Sequence, residues 1–355
     1  MSFQSILMLI MAIGLLAGGV DLILGDHLGL GTRFKDGLQA FGPLVLGMVG
    51  ILCLAPDISM ILRPLAAPFC HLFGIDPAFF ASLIACDMGG YPLAMELADS
   101  PEMGKYFGIL VCSMLGCTVS FTIPVGLNLV KDEDRDFFSK GLLIGLITVP
   151  FSSFAGGIAA GFPLTQMLIN TLPVLFLAVV LSVCLSLIPE KIIRGCYYFG
   201  RVIMLLCIIG LAAAAFESLT GIVLIPGLVP IEEAMQSVVS IVIVLMGALP
   251  TLEIAMRLLK KPLLFLGSRL GIGSNAMAGL IMQLANAVPV MTDLGNMDTH
   301  GKVLNMAVIV SCSCVIGDHF AYTIAVCPEM TVPLIVGKLA GGILAILITL
   351  TVFRD

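Results

Sequence analysis

Long apolar segments, separated by short polar loops, limit what this chain can fold into more than any motif does. A helix needs about 20 apolar residues to cross the hydrocarbon core of a bilayer. Charged residues make up 11% of the chain, whereas soluble domains carry roughly 25%. The pattern therefore predicts an all-α, polytopic protein embedded in the lipid bilayer. The nine predicted spanning helices cover 4–24, 38–56, 106–128, 141–161, 165–188, 197–219, 233–250, 303–325 and 333–352.

Self-similarity between the two halves of the chain predicts an internal repeat. Apolar matches are expected by chance in so apolar a sequence, but prolines and charges that match in the same order are not. Such a duplication is typical of membrane transporters built from two copies of one unit. Residues 8–25 recur near 204–221, residues 40–68 near 234–262 and residues 83–105 near 280–302. Matched positions include Pro56, Arg63, Pro68, Pro92 and Lys105 in the first copy, and Pro250, Arg257, Pro262, Pro289 and Lys302 in the second.

One segment in each copy carries helix breakers between apolar arms that are too short to span. In the first copy, near 79–98, Gly90 and Pro92 interrupt the helical pattern, since glycine and proline are the weakest helix formers. In the second copy, near 274–300, the corresponding break falls at Pro289. We predict two re-entrant or broken helical hairpins, because irregular backbone at that depth survives only inside protein or beside a polar cavity. A proline-kinked spanning helix is the open alternative.

The distribution of Lys and Arg predicts the orientation of the chain. If both hairpins return to their starting side and the N-terminus is outside, 14 basic residues face the cytoplasm and 3 face outward, as the positive-inside rule favours. If both segments span, the best orientation gives 12 against 5. The hairpin arrangement makes the two copies inverted and the C-terminus cytoplasmic. The three outward residues are Arg63, Lys105 and Lys338. The predicted organisation is a first membrane repeat over 1–130, a cytoplasmic loop with a connecting helical pair over 131–196, and a second membrane repeat over 197–355.

Asp87 is the strongest candidate for substrate binding. An ionisable residue deep in a membrane costs roughly 3 kcal/mol, so it is a functional hypothesis by default. Asp87 precedes the first break, Gly89 and Gly90 form the break, and Tyr91 follows one helical turn after Asp87. A carboxylate and an aromatic face together suit a small ammonium ion. The alternative roles for Asp87 are a helix cap or an ion pair with a structural arginine.

Asp318 and His319 form a second polar group, inside the eighth predicted span. A carboxylate beside an imidazole could relay protons or hold a cation, and an interhelical hydrogen-bond pair is the equal alternative. Asn286, at the tip of the second hairpin, suits either a substrate hydroxyl or a local turn cap. Glu96 and Asp293 each follow a proline by four residues. They are secondary candidates that face either the cavity or the water surface.

The sequence lacks the motifs of several other classes of function. It contains no Walker-type loop, dinucleotide fingerprint or HExxH motif, so neither ATP-driven transport by this chain alone nor an enzyme is predicted. No metal or cofactor is predicted, and the choice of coupling ion, H⁺ or Na⁺, stays open. There is no basic patch, which argues against nucleic acid as a partner. The 11 cysteines lack CxxC spacing and are expected to be packing residues.

Two longer motifs are Gly42–Pro56, GPLVLGMVGILCLAP, and Asp87–Ala98, DMGGYPLAMELA. With them the chain resembles the ethanolamine-utilisation permease family (EutH-type) of bacteria, and its length and helix distribution fit essentially throughout. The resemblance implies a multi-pass permease of the bacterial inner membrane that takes up ethanolamine for catabolism in a microcompartment. The ammonia-lyase of that compartment needs cobalamin, which would belong to the lyase and not to this chain. The resemblance supplies no binding residues, so the candidate site rests on the residues alone.

Ethanolamine carries a protonated amine and a hydroxyl, and the candidate residues offer partners for both ends. Asp87, Tyr91, Asn286 and Asp318 would surround it if the two hairpins meet near the midplane of the membrane. We expect a secondary transporter that works by alternating access. Open alternatives are a transporter of another small amine or organic ion, an uncoupled facilitator or channel, and a non-transporting membrane component that docks partner proteins. A homo-oligomer is also left open.

Overall fold

The computed structural model describes residues 3–84 and 90–352, and every regular element in these ranges is a helix. Eight helical stretches there are long and apolar enough to cross a membrane. They run over Ser5–Ile23, Leu30–Phe73, Pro101–Leu129, Asp132–Ala159, Leu164–Leu187, Pro189–Thr220, Ile231–Leu259 and Pro328–Val352. The predicted all-α, polytopic architecture is confirmed at this level.

The first half of the chain alternates α-helices with π- and 3₁₀-helical turns. The α-helices are α1 (Phe3–Ile23), α2 (Leu30–Gln39), α3 (Phe41–Leu44), α4 (Gly50–Phe73), α5 (Ala81–Ile84), α6 (Gly90–Leu97), α7 (Pro101–Lys105), α8 (Ile123–Leu129) and α9 (Arg135–Ala159). π-Helices cover Val45–Val49, Tyr106–Gly116 and Thr118–Thr122, and 3₁₀-helices cover Pro77–Phe80 and Asp132–Asp134.

The second half begins with three long helices and ends with shorter, interrupted ones before the last span. The α-helices are α10 (Leu164–Leu187), α11 (Pro189–Thr220), α12 (Ile231–Arg269), α13 (Ser274–Met282), α14 (Val288–Thr292), α15 (Thr299–Cys312), α16 (Asp318–Val326) and α17 (Thr331–Val352). 3₁₀-Helices cover Leu294–Asn296 and Pro328–Met330.

Burial separates a central core from a lipid-facing periphery. In the most apolar stretch of Pro101–Leu129, 78% of the residues are buried, and in that of Asp132–Ala159 61%. The corresponding share is 22% for Ser5–Ile23 and 28% for Leu164–Leu187 and Pro189–Thr220. Exposed apolar side chains on these outer helices face a solvent of lipid tails that is as apolar as they are. The core is therefore built around the span that contains the longest run of π-helix in the described residues, Tyr106–Gly116.

Close glycine contacts hold the outer helices in two matching pairs. α1 packs against α12 where a Cβ on Gly247 would lie 2.2 Å from the main-chain oxygen of Met11. α11 packs against α4 where a Cβ on Gly210 would lie 2.3 Å from the main-chain oxygen of Gly50. Only glycine permits backbones to approach this closely. Gly14, which matches Gly210 in the predicted repeat, makes the equivalent contact, with its Cβ position 2.6 Å from the oxygen of Gly247.

In each of the two segments that carry helix breakers, a hydrogen bond joins the residues at its two ends. At the start of the first, Asp76 Oδ1 accepts from the amide of Ala78 at 2.9 Å. Its Oδ2 accepts from the amide of Asp99 at 3.1 Å. In the second, the Asn275 side-chain amide donates to the main-chain oxygen of Asn296 at 2.8 Å. The two ends of each segment therefore lie next to each other.

The predicted spanning helix over 303–325 is wrong, because α15 ends at Cys312 and α16 begins at Asp318. Within the interruption Cys314 has a φ of 56°, a left-handed conformation that residues other than glycine rarely adopt. Hydropathy could not reveal the break, since the connecting residues 313–317 are nearly as apolar as the helices on either side. The nine predicted spans therefore become eight candidate spans in the described part of the chain.

Candidate functional site

Two interrupted helices meet at their interruptions in the core of the second half. Residues 283–287 separate α13 from α14, and residues 313–317 separate α15 from α16. We refer to these two segments together as the crossover. Unwound backbone at membrane depth must find hydrogen-bond partners inside the protein, and here each segment supplies them to the other. The amide of Cys314 donates to the carbonyl of Gln283 at 2.8 Å, and the amide of Ile316 donates to the carbonyl of Leu284 at 2.9 Å.

Local sequence explains why the chain unwinds and crosses here. Pro289 lies in the first turn of α14, where its missing N–H costs nothing and its fixed φ starts a helix. Gly317 allows the two segments to touch, because a Cβ at this position would lie 2.0 Å from the main-chain oxygen of Ala285. The crossover therefore depends on a proline in one segment and a glycine in the other.

The crossover brings helix ends of both polarities into the core. α13 and α15 end there, and α14 and α16 begin there. The C-terminal end of a helix carries the negative end of its dipole and the N-terminal end the positive one. The crossover can therefore favour a cation on one side and an acceptor group on the other.

Three side chains with metal- and cation-binding atoms converge beside α16. One ligand atom each from Cys314, Asp318 and His319 lies within 4.8 Å of the others. His319 and Cys314 are buried and Asp318 is half-buried. The Asp318 carboxylate also accepts from the amide of His319 at 2.9 Å. A carboxylate and an imidazole suit a small organic cation, and with the thiol the set also matches the donors that zinc prefers.

The crossover contains two amide side chains, Asn286 and Gln283, which differ in their exposure to solvent. Asn286 is exposed, and its Oδ1 accepts from the amide of Val288 at 2.9 Å, which is the turn-cap arrangement. Gln283 is fully buried and its Nε2 contacts Asn305 Oδ1 at 3.4 Å. The Gln283 Oε1 is buried and has no hydrogen-bond partner in the part of the chain that the structure describes. The sequence argument did not single out Gln283, although an amide inside an apolar arm is a visible signal.

The structure places Tyr91 and Asp318 at opposite ends of α16. Gly90 begins α6, and the side chain of Tyr91 lies beside that of Cys327, the residue that follows α16. Because α16 has nine residues, it is about 13 Å long. The predicted partners Asp87 and Gly89 lie outside the described residues.

The two secondary candidates, Glu96 and Asp293, are both exposed. Asp293 hydrogen-bonds the side-chain amide of Asn296. Glu96 lines an open groove of about 700 Å³ that contains no crossover residue. The groove is lined by Pro56, Ser59, Met60, Arg63, Pro64, Ala67, Pro68, His71 and Glu96.

Lys338 lies in the core and not at the outer surface, so its predicted outward position is wrong. It belongs to α17, and its side chain is fully buried. Its Nζ donates to the main-chain oxygens of Ser113 and Ser313, each at 2.9 Å. The positive-inside count assumes that every basic residue lies at one of the two membrane surfaces. That assumption fails for a lysine that lies inside a helix in the core.

Comparison with known proteins gives one family over nearly the whole chain. The family described as “Ethanolamine utilisation protein, EutH” matches residues 3–352. A Listeria monocytogenes protein named “Probable ethanolamine permease EutH” is 41% identical, over 98% of this chain and 93% of that protein. A Salmonella typhimurium protein of the same name is 37% identical, over 98% and 94%. A Bacillus subtilis protein named “Uncharacterized protein YxeR” is 41% identical, over 97% and 94%. No solved structure matches.

Proposed function

The chain belongs to the EutH family of ethanolamine utilisation proteins, and from this membership we propose that it moves ethanolamine across the bacterial inner membrane as a secondary transporter. Two of its relatives are named probable ethanolamine permeases, and the eight candidate spans in the described part of the chain fit a multi-pass membrane protein. The structural observation that supports this proposal, in addition to family membership, is the crossover. It is a polar, non-helical site inside an apolar fold, where transporters of small ions bind their substrates.

The chemistry of the crossover suits a molecule with a cationic end and a hydroxyl end. The Asp318 carboxylate, with His319 beside it, would pair with the ammonium group of ethanolamine. The buried Oε1 of Gln283, which has no partner within 3–84 and 90–352, would accept from the hydroxyl, or the exposed Asn286 amide would bind it. Asp87 remains a second carboxylate expected from the sequence at the tip of the first hairpin.

The proposal includes an inverted repeat with two re-entrant hairpins. The paired ends of 76–99 and 275–296 support re-entrant segments that return to their starting side. The matching glycine contacts of α1 with α12 and of α11 with α4 support a duplication in which each copy's first helix packs on the other copy.

Two ion pairs between the copies support an alternating-access mechanism. Lys105 binds Glu329 at 2.9 Å, and Lys302 binds Asp134 at 2.6 Å. Lys105 and Lys302 correspond in the predicted repeat. Each lysine lies at the start of one central segment, and its partner lies just beyond the end of the other. The segments 101–129 and 299–326 therefore run antiparallel, with one ion pair at each end.

The two ion pairs differ in their access to solvent. The side chains of Lys302 and Asp134 are 15% and 2% exposed, whereas those of Lys105 and Glu329 are 27% and 57% exposed. The end of the central segments at Lys302 is therefore closed by packing, and the end at Lys105 is more exposed to solvent. We infer that the protein is in a state closed towards the cytoplasm and that transport exchanges the two environments.

Uptake of labelled ethanolamine into proteoliposomes tests the proposed function. We expect saturable uptake by the wild-type protein, and loss of at least about tenfold in Asp318→Asn, because a bond between charged groups is removed. Asp87→Asn should have a comparable effect. The matched control is Asp293→Asn, whose exposed carboxylate contacts only a neighbouring amide in the described part of the chain. Absence of saturable uptake would refute the transporter, and normal uptake by Asp318→Asn would refute its role as the cation partner.

Competition and gradients separate the proposed function from its nearest alternatives. A transporter of another small amine would be blocked by that amine at lower concentration than ethanolamine requires. A facilitator would equilibrate ethanolamine without accumulating it in any H⁺ or Na⁺ gradient. Accumulation above the outside concentration in an imposed gradient supports the coupled transporter.

A further inference from the structure

A lysine is buried at the centre of the fold, where the proposed substrate site gives it no role. Lys338 is 0% exposed, and its ammonium binds the carbonyls of Ser113 and Ser313. In residues 3–84 and 90–352, no carboxylate lies within ion-pair distance of it. An ammonium in the interior of a membrane protein is costly and marks a functional site by default. Its partners therefore deserve a chemical explanation.

The two carbonyls belong to distorted regions of two helices. Ser113 lies in the π-helix Tyr106–Gly116. Ser313 is the first residue after α15 and has an extended backbone, with φ −60° and ψ 151°. The C-terminal end of a helix is the negative end of its dipole and attracts cations. In transporters, unwound carbonyls at such helix ends are the groups that bind coupling cations.

Further oxygen atoms line the same region of the core. Gly341 lies one turn after Lys338 on α17, and a Cβ there would lie 2.8 Å from the Cβ of Ser311 and closer still to the hydroxyl of Ser152. The Ser311 hydroxyl is buried and has no hydrogen-bond partner among the described residues. Carbonyl and hydroxyl oxygens are the ligands of hard cations such as Na⁺. The ammonium thus has two carbonyl ligands of the kind that an alkali ion takes, and two serine side chains lie one helical turn further along α17.

We propose that the ammonium of Lys338 is a tethered cation that fills an Na⁺-type site between α15, α17 and the π-helix Tyr106–Gly116. A covalently attached cation is always present, so the site needs no Na⁺ from solution and ethanolamine uptake is independent of Na⁺. The lysine also ties the crossover segment 313–317 to the first repeat through Ser113. This inference rests on the proposed transport function. It adds that the cation in the site next to the crossover is the ammonium of Lys338.

The experiment removes the tethered cation and offers a free one. Wild type, Lys338→Ala and Lys338→Met are compared for ethanolamine uptake in KCl and in NaCl of equal ionic strength. We expect wild-type uptake to be the same in both salts. Lys338→Ala should lose about ten- to hundredfold in KCl and recover several-fold in NaCl, because Na⁺ can enter the vacated space. Lys338→Met fills that space without a charge and should be inactive in both salts.

Thermal unfolding of the same proteins in detergent separates this inference from the transport function. Lys338→Ala should unfold at a lower temperature than wild type in KCl, and NaCl should restore part of the loss. The control is Lys140→Ala, because Lys140 is a surface residue of α9 paired with Asp136, and it should resemble wild type in every assay. If wild type shows no uptake, the transport function fails and the unfolding measurements still decide the cation site.

Three results would overturn the tethered cation. They are Na⁺-dependent uptake by the wild type, wild-type uptake by Lys338→Met, and indifference of Lys338→Ala to Na⁺ in both assays. If Lys338→Ala cannot be purified in folded form, the first two results still decide the question.

Discussion

Gly317 is the residue on which contact between the two halves of the crossover depends. Its hydrogen atom faces the main-chain oxygen of Ala285, where a Cβ would lie 2.0 Å away. A backbone oxygen cannot rotate aside as a flexible side chain can. The segments must therefore separate if any side chain is added, and the paired amides of Cys314 and Ile316 would lose their acceptors.

We expect Gly317→Ala to destabilise the protein by about 2 kcal/mol or more and to abolish ethanolamine uptake. The measurement is thermal unfolding in detergent together with proteoliposome uptake. Gly195→Ala is the control, since Gly195 lies in α11 with nothing within 4 Å of its Cβ position. That substitution should be neutral or stabilise the helix by up to about 1 kcal/mol. Equal effects of the two substitutions would contradict the close contact.

Individual residues also mark where prediction from the sequence stops. Asp318 and His319 can be singled out from the sequence because they are polar residues in an apolar segment. Lys338 also lies in an apolar segment. Its burial cannot be read from the sequence, because that depends on carbonyls from Ser113 and Ser313, which are 225 and 25 residues away. Asn286 and Gln283 show the same limit, since the sequence does not tell which amide turns into the core.

At the scale of elements, the two ion pairs at the ends of the central segments correspond in the predicted repeat but differ in their exposure to solvent. Asp134 is almost fully buried against Lys302. Glu329 is mostly exposed beside Lys105. A buried charge that loses its partner is penalised by desolvation, whereas an exposed charge is stabilised by water instead.

We expect Asp134→Asn to lower the free energy of unfolding by about 3 kcal/mol or more, and Glu329→Gln by about 1 kcal/mol or less. The two variants are each other's matched control, because both remove one carboxylate from equivalent positions. Chemical unfolding at constant pH gives the difference. A larger effect of Glu329→Gln would contradict the assignment of the closed end.

The element order shows why hydropathy predicted most helices and missed one interruption. Segments such as α10 and α17 are long, mostly apolar and helical, so length and composition suffice. The break between Cys312 and Asp318 has the same composition as a helix and is created by pairing with residues 283–287. Proline predicted the neighbouring break at Pro289 because it acts on the local backbone.

At the scale of the whole molecule, the predicted repeat and the observed contacts point to the same pairing of parts. α1 packs on α12 and α11 packs on α4, and the ion pairs link the start of each central segment to the end of the other. Antiparallel central segments require their two starts to lie at opposite ends of the core. If these ends are opposite faces of the membrane, the copies are inverted, which stays a prediction from the distribution of basic residues.

Labelling from one side of the membrane tests that arrangement. Glu102, near the start of the first central segment, and Glu133, beyond its end, are both exposed. We expect a cysteine at position 102 to react with a membrane-impermeant maleimide added to intact cells, and a cysteine at 133 to react only after the membrane is opened. Background is low because, among the described cysteines, all but the half-buried Cys184 are buried. Reaction of both positions from outside would contradict a membrane-crossing segment between them. Reaction of 133 alone would reverse the predicted orientation, and it would place the closed ion pair, Lys302 with Asp134, on the outer face.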